Sequence, residues 1–146
     1  MPATTSPTQP LLEQTRAAAH PRCVVCNPSR ESGFGLDYVW SDDGGIAATF
    51  ACPDRCEGYP GLLHGGVISS LLDGAMTNCL FAHGVVALTA KLNVRFRHPV
   101  ALATPLVVRA RLARSQPPLH VVESQLEQDG KVKAKAQGTF MERPAP

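Results

Sequence analysis

The pattern of apolar and polar positions between residues 66 and 82 is that of an enclosed helix. Its apolar positions recur every three or four residues, which is the spacing of one helix face. The candidate core positions are Ile68, Leu71, Leu72, Ala75 and Cys79. The segment contains no Lys, Glu or Arg, the residues that usually cover an exposed helix surface. We therefore expect a long helix from about Gly66 to Ala82, mostly surrounded by protein.

Six other segments have the period-two alternation or the composition of β-strands. They are residues 36–40, 46–52, 85–96, 105–114, 119–128 and 131–142. The sequence DDGG at 42–45 and the pair Asp129-Gly130 are hairpin signals between the first two and the last two strands. Four strands with short connections follow the helix, and this order predicts an antiparallel meander.

The strand after the helix alternates cleanly from residue 88 onward. On one side we expect Leu88, Ala90, Leu92, Val94 and Phe96. On the other side we expect Thr89, Lys91, Asn93, Arg95 and Arg97. A helix of roughly 16 residues is about 24 Å long, and a sheet of about six strands can cover it with one apolar face. The predicted class is α+β, and a curved antiparallel sheet wrapped around one long central helix is similar to the hotdog fold.

The length suits one domain, which we place at residues 20–142. An N-terminal tail at 1–19 with a possible short helix precedes it, and a C-terminal tail at 143–146 follows. The 146 residues carry a formal charge of +2, and no basic run forms a nucleic-acid patch. The apolar stretches are much shorter than the ~20 residues of a membrane span. Residues 1–20 lack the features of a signal peptide, so we expect a cytoplasmic protein without nucleic-acid or membrane partners.

Asp73 is the one strongly ionisable residue of the predicted helix, and it forms a polar stripe with Ser69 and Thr77. Such a stripe is often simply a solvated helix face. In an enclosed helix, however, an ionised carboxylate is costly unless it is paired or unless a site uses its charge. We therefore expect Asp73 to lie in a functional cleft.

The sequence His64-Gly65-Gly66 precedes the helix. Glycines permit close backbone approach, and the first N–H groups of a helix have no internal partner, so together they can bind a developing negative oxygen. A carbonyl resting on the N–H groups near Gly65 could have its carbon within reach of Asp73 or of a water held by it. This arrangement suits acyl hydrolysis, with the carboxylate as general base or nucleophile. Taken by themselves, the two glycines have an alternative interpretation, which is a tight turn from the loop into the helix without a binding role.

The motif HGGVISSLLDGAM, with EGYPGLL before it and TAKLNVRFRHP after it, resembles the PaaI-like branch of the hotdog-fold thioesterases. The segment CVVCNPSRESGFGL is also similar to the opening of many such proteins, and the resemblance covers about residues 20–141. It implies hydrolysis of acyl-CoA thioesters by a homodimer or homotetramer, with each active site at a subunit interface. Dimerisation by strand pairing is expected, since a single unit leaves a sheet edge open.

The resemblance also implies roles for particular residues. The catalytic candidates are Asp73, Gly65, Thr89 and His64, although for His64 a structural role in the turn is favoured over general base catalysis. The substrate-binding candidates are Gly66, Glu57, Asn93, Arg95 and Arg97. For Asn93 a role in strand geometry is favoured over substrate contact. For Arg95 and Arg97 two interpretations are equally supported: contact with the phosphates of coenzyme A, or a solvated strand face.

Two positions depart from the family pattern. Glu57 lies where relatives often carry an Asn or Gln that contacts the thioester. Gly74 replaces a common Glu within the helix, and this glycine could admit a bulkier acyl group or a helix from a partner subunit. The Glu57 departure keeps a second interpretation open, namely a non-catalytic hotdog module that binds acyl-CoA or serves in assembly.

The five cysteines are an odd number, and we expect free thiols or metal ligands rather than disulfides. Cys23 and Cys26 form one pair, Cys52 and Cys56 another, and His20 lies three residues before the first. This spacing is compatible with a structural zinc and a zinc-stabilised interaction domain, but free loop thiols are favoured. The expected enzyme uses no metal or redox cofactor.

Overall fold

The computed structural model describes residues 6–27 and 33–143. Two α-helices lie at Gln9–Ala19 (α1) and Gly65–Ala82 (α2), and a short 3-10 helix lies at Asp54–Cys56. The strands are Val39–Ser41 (β1), Gly45–Phe50 (β2), Ala87–Phe96 (β3), Leu106–Gln116 (β4), Leu119–Gln128 (β5) and Lys131–Glu142 (β6). None of the helices in the described ranges combines the length and hydrophobicity needed to cross a membrane.

The central helix α2 begins one residue before the predicted start and ends at the predicted residue. From Leu71 to Ala82 every residue except Asp73 is buried. The helix packs against β2, β3, β4, β5 and β6, so the sheet covers most of its circumference. Gly84 follows the helix with a φ of +73°, the left-handed conformation in which helices commonly end. The absence of Lys, Glu and Arg from the helix is thus explained by its burial.

All strand pairs are antiparallel, and the sheet order is β1-β2-β4-β5-β6-β3. This sheet around α2 is the hotdog fold. The predicted meander is correct for β4, β5 and β6, but it is wrong for β3, which pairs with β6 at the far edge instead of with β4. The connection at 97–105 is longer than the two to five residues of a tight hairpin, which lets the chain cross to the other end of the sheet.

A β-bulge changes the faces of β3. The register shifts between Thr89 and Lys91, so that Ala90 is an extra residue on this strand. Thr89 therefore lies opposite Phe140, whose side chain is fully buried on the helix-facing side of the sheet. The predicted strict alternation, which grouped Thr89 with Asn93 and the arginines, is wrong because of this one inserted residue.

The N-terminal segment contributes to the core. Helix α1 starts two residues before the predicted range 11–19, and Thr8 caps it by accepting a hydrogen bond from the Leu11 N–H. It packs against α2, with Leu12 fully buried and the Thr8 N–H donating to the Ala82 carbonyl at 3.2 Å. The predicted tail therefore carries a helix that covers part of α2.

Gly74 provides a notch in α2 that the same chain fills. A Cβ atom at this position would lie 2.6 Å from Val25 Cγ1 and 3.0 Å from the Tyr38 hydroxyl oxygen. The Tyr38 hydroxyl in turn donates to the Leu71 carbonyl at 2.9 Å. The expectation that Gly74 admits an acyl group or a partner helix is thus wrong, because the turn carrying Val25 occupies the space.

Candidate active site

Asp73 is half-buried near the middle of α2, and its carboxylate faces β3. The Thr89 hydroxyl donates a hydrogen bond to Asp73 Oδ1 at 2.7 Å. Thr89 reaches the carboxylate because the bulge at Ala90 turns its side chain to the helix side of the sheet. The hydroxyls of Ser69 and Thr77 instead bond to carbonyls of their own helix, at 3.0 Å each. The polar stripe therefore presents one carboxylate, held by the neighbouring strand.

Burial raises the pKa of the Asp73 carboxyl above its ordinary value. The hydrogen bond from Thr89 and the electrostatic interaction with the nearby His20 lower this pKa, and Cys23 adds to the increase. A carboxylate with a raised pKa is a stronger base than one in water. The environment of Asp73 therefore suits it to take a proton from water.

The start of α2 is organised by His64, which caps the helix. Its Nδ1 accepts the Gly66 N–H at 2.8 Å, and its carbonyl accepts from the N–H groups of Val67 and Ile68 at 3.0 and 3.1 Å. The Gly66 N–H is therefore already bonded within the turn, and a substrate-binding role for Gly66 stays a prediction. Within the described parts of the chain, the exposed Gly65 N–H has no acceptor. Gly65 thus supplies the donor that remains for a ligand.

Gly65 and Asp73 are too far apart in one chain to act directly on the same carbonyl. Eight residues of α-helix separate their Cα atoms by ~12 Å along the axis. An N–H that binds a carbonyl oxygen and a carboxylate that attacks its carbon lie only roughly 7 Å apart, or at most about 10 Å when a water stands between the carboxylate and the carbon. The expectation that one chain unites the two groups is therefore not met, although each group is well placed by itself.

The other substrate-binding candidates lie away from Asp73. Asn93 is opposite Gln137 and Arg95 is opposite Lys135, on the outer face of the sheet. Together with Arg97 they line a groove of about 800 Å³ on that face. Glu57 is exposed and lines a smaller cavity of about 550 Å³. Asp73 borders neither cavity.

Two residues near the site were not among the predicted ones. The Phe96 ring lies over the start of α2, since a Cβ atom at Gly65 would be 3.7 Å from Phe96 Cε1. In the sequence, the apolar character of Phe96 indicated only a core position. His20 is close enough to lower the pKa of Asp73, and it follows α1 directly. In the sequence, the feature that could have indicated His20 was its position three residues before the first cysteine pair.

The two cysteine pairs do not come together in one candidate metal site. The ligand atoms of His20, Cys23 and Cys26 all lie within 4.8 Å of one another, and neither Cys52 nor Cys56 belongs to this group. A hydrogen bond from the Cys26 thiol lowers the pKa of Cys23 well below its ordinary value, whereas this bond and burial raise the pKa of Cys26. All five cysteines are free thiols.

Comparisons with known proteins give a consistent result. A sequence model described as the thioesterase superfamily matches residues 60–135. The chain is 34% identical over 85 residues to acyl-coenzyme A thioesterase THEM4 of Bos taurus, covering 56% of this chain and 35% of that protein. The chain thus spans little more than a third of the length of the curated relatives it matches.

Two solved structures illustrate the similarity of fold. The PaaI protein of the E. coli phenylacetic acid degradation operon aligns with a TM-score of 0.79 at 18% identity, covering 94% of this chain and 96% of that one. The protein smu.793 of Streptococcus mutans, solved bound to acetyl CoA, aligns with a TM-score of 0.69 at 23% identity and covers 74% of this chain and 88% of that one.

Proposed function

The chain belongs to the thioesterase superfamily, and we propose that it hydrolyses an acyl-CoA thioester. The observation that carries this proposal is the hydrogen bond of 2.7 Å between Thr89 and Asp73. It holds a carboxylate at a fixed position on a helix whose other residues are apolar, small or bonded to their own backbone. The name of the THEM4 relatives and the acetyl CoA bound to smu.793 support the substrate class.

In the proposed reaction, Asp73 activates a water molecule. One carboxylate oxygen, Oδ1, accepts the Thr89 hydrogen bond, and the other takes the proton as the water oxygen attacks the thioester carbon. The C–S bond then breaks, the electron pair leaves on the thiolate of coenzyme A, and a free carboxylic acid remains. Direct attack by the Asp73 carboxylate, followed by hydrolysis of the resulting anhydride, is the alternative course with the same products.

The oxyanion would be stabilised by the Gly65 N–H of a second subunit. The separation of about 12 Å along α2 supports this arrangement, since one chain does not unite Gly65 with Asp73. Strand β3 is ten residues long and lies at an edge of the sheet, with Leu88 62% and Phe96 54% exposed. An exposed edge strand with apolar side chains favours pairing with another strand. We propose a homodimer with a two-fold axis at this edge, by itself or as half of a homotetramer.

Arg95 and Arg97 remain candidates for the phosphates of coenzyme A. Because the sheet lies between them and Asp73, a bound coenzyme A would have to pass around the β3 edge to reach them. Asn93 would border the same path, and Glu57 would act only if a partner brings it to the site. The cytoplasmic location also stays a prediction.

An assay of thiol release over a panel of acyl-CoA substrates tests the hydrolase proposal. We expect Asp73→Asn to lower kcat by roughly 10²–10⁴-fold, the usual contribution of a general base. Asp42→Asn is the matched control, because it removes an exposed carboxylate in the β1–β2 turn and should leave kcat unchanged. Hydrolysis at the same rate in wild type and Asp73→Asn would refute the catalytic role.

The second candidate function is a non-catalytic module that binds acyl-CoA. Glu57 favours it, because a carboxylate stands where relatives often carry an amide that contacts the thioester. Calorimetric titration with a non-hydrolysable acyl-CoA analogue, run beside the thiol assay, separates the two. Binding without turnover of any acyl-CoA in the panel would favour the binding module.

A further inference from the structure

A compact group of metal-ligating side chains lies outside the proposed catalytic pair. His20 directly follows α1, and Cys23 and Cys26 lie in the turn that comes next. Their ligand atoms are all within 4.8 Å of one another, and among the described residues no other His, Cys, Asp or Glu side chains form such a group. The catalytic proposal makes no use of these three side chains as ligands.

The turn around Cys23 is shaped to hold an anionic sulfur. The backbone N–H groups of Val25 and Cys26 both donate to Cys23 Sγ, at 3.4 and 3.5 Å. Successive backbone N–H groups that point to one atom form an anion-binding concavity, an arrangement that recurs at metal–sulfur sites. The sulfur of Cys23 is thus oriented and stabilised in the charge state in which thiols bind metals.

The imidazole of His20 is at the distance expected for a second ligand of the same ion. His20 Nδ1 lies 3.6 Å from Cys26 Sγ. In a tetrahedral site with Zn–S of about 2.3 Å and Zn–N of about 2.0–2.1 Å, a sulfur and a nitrogen are roughly 3.5 Å apart. The ring of His20 is fixed by an edge contact with Phe81, with ring centroids 4.9 Å apart. The distance between Cys26 Sγ and His20 Nδ1 therefore agrees with ligation of one ion.

We propose that His20 Nδ1, Cys23 Sγ and Cys26 Sγ bind one Zn²⁺ ion. Thiolate and imidazole ligands together favour zinc among the common divalent ions. Cys26 is 1% exposed, whereas Cys23 is partly exposed and leaves a path from solvent. Three protein ligands leave a fourth position for water or another donor.

The ion would fasten the turn to the central helix beside Asp73. Val25 stands between the two cysteines, and its Cγ1 fills the notch at Gly74, the residue after Asp73. A metal that joins this turn to the end of α1 would therefore hold Val25 in the notch. The role we assign to the ion is structural, and the hydrolysis proposed above does not depend on it.

The test uses the full chain, stripped with a chelator and kept reduced with a phosphine. Titration with Co²⁺ should give the visible absorption of a tetrahedral ion and the near-ultraviolet band of thiolate ligation, with about one ion per chain. Zn²⁺ should displace the Co²⁺ and abolish both bands. Hydrogen exchange of residues 20–27 should slow when Zn²⁺ is added, because ligation closes the turn.

Variants identify the ligands. Cys23→Ser, Cys26→Ser and His20→Asn should each weaken Zn²⁺ binding by more than the roughly 10–100-fold that loss of an outer-shell partner costs. Cys52→Ser and Cys56→Ser are matched controls from the other cysteine pair, and they should bind as wild type does. Competition with a chromophoric chelator measures these affinities.

Three results would overturn the proposal. One is a Co²⁺ spectrum without a thiolate band in the wild-type chain, a measurement that needs no variant to fold. Another is Zn²⁺ binding that survives Cys23→Ser or disappears in Cys52→Ser. The last is a Cys23–Cys26 disulfide in the purified protein together with no Zn²⁺ uptake after reduction.

Discussion

At the scale of single residues, the candidate site depends on where one hydroxyl points. Thr89 has the right residue type, but alternation alone would direct it to the outer face with Asn93 and Arg95. The extra residue Ala90 reverses its direction, and the hydroxyl then reaches Asp73 Oδ1 at 2.7 Å. A bulge of one residue thus decides whether the carboxylate has a partner.

Replacing Thr89 with Val tests this contact. The variant keeps a β-branched side chain and loses the hydroxyl, so kcat/KM should fall by about 10- to 100-fold, the value of a hydrogen bond to a charged group at roughly 1.5–3 kcal/mol. The Thr89 bond lowers the pKa of Asp73. Its loss should therefore raise that pKa and move the acidic limb of the pH profile of kcat/KM to higher pH.

Thr89→Ser is the control for that experiment, because it keeps the hydroxyl and should retain the position of the acidic limb. A Thr89→Val enzyme whose acidic limb stays in place would mean that the hydroxyl does not act on the ionisation of Asp73. Measuring kcat/KM over a series of pH values with a single acyl-CoA locates the acidic limb for the wild type and both variants.

At the scale of elements, the strands and the central helix could be predicted because each carries a strong local signal. Asp129 and Gly130 both adopt positive φ, 55° and 71°, as a two-residue hairpin requires, and β5 and β6 have their predicted bounds. The position of β3 next to β6 could not be predicted, since strand pairing across a long connection depends on tertiary packing. The same holds for the Val25 turn against Gly74, which joins residues 49 positions apart.

The contact between the turn and α2 makes a prediction about Gly74. An added methyl group would meet Val25 Cγ1 at 2.6 Å, so Gly74→Ala should lower the free energy of unfolding by about 1–3 kcal/mol despite the higher helix propensity of Ala. Gly65→Ala is the control in the same helix, because its nearest contact is 3.7 Å away, and its effect should stay within about 0.5 kcal/mol. Denaturant unfolding of both proteins measures the difference.

Val25→Ala tests whether the clash with Val25 causes the stability loss expected for Gly74→Ala. Combined with Gly74→Ala, it removes the atom that the new methyl group meets, so the double variant should lose less stability than the two single changes together. Additive losses would mean that the cost of Gly74→Ala arises elsewhere in the helix.

At the scale of the whole molecule, one chain supplies both halves of the proposed hydrolytic site without joining them. Asp73 with Thr89 lies near the middle of α2, and the Gly65 N–H lies at its start, ~12 Å away along the axis. Both face the region of β3, a long edge strand that a monomer leaves without a partner on one side. This separation gives the proposed dimer a chemical consequence, since each site would combine groups from two chains.

Mixing two inactive variants tests that consequence. Asp73→Asn removes the carboxylate, and Gly65→Pro removes the N–H while suiting the first position of a helix. The His64 backbone before it is extended, with φ −61° and ψ 135°, which proline tolerates. If each site takes Asp73 from one subunit and Gly65 from the other, a mixed dimer has one intact site.

Subunits exchanged in equal amounts should then recover about a quarter of the wild-type rate, because half of the dimers are mixed and each of those has one of two sites intact. Sites formed within single chains would give no recovery, since every chain lacks one group. The thiol-release assay before and after mixing supplies the readout, and light scattering verifies that both variants keep the oligomeric state of the wild type. Recovery in a mixture of Asp73→Asn with Thr89→Val would contradict the arrangement, because both of those residues belong to the same half-site.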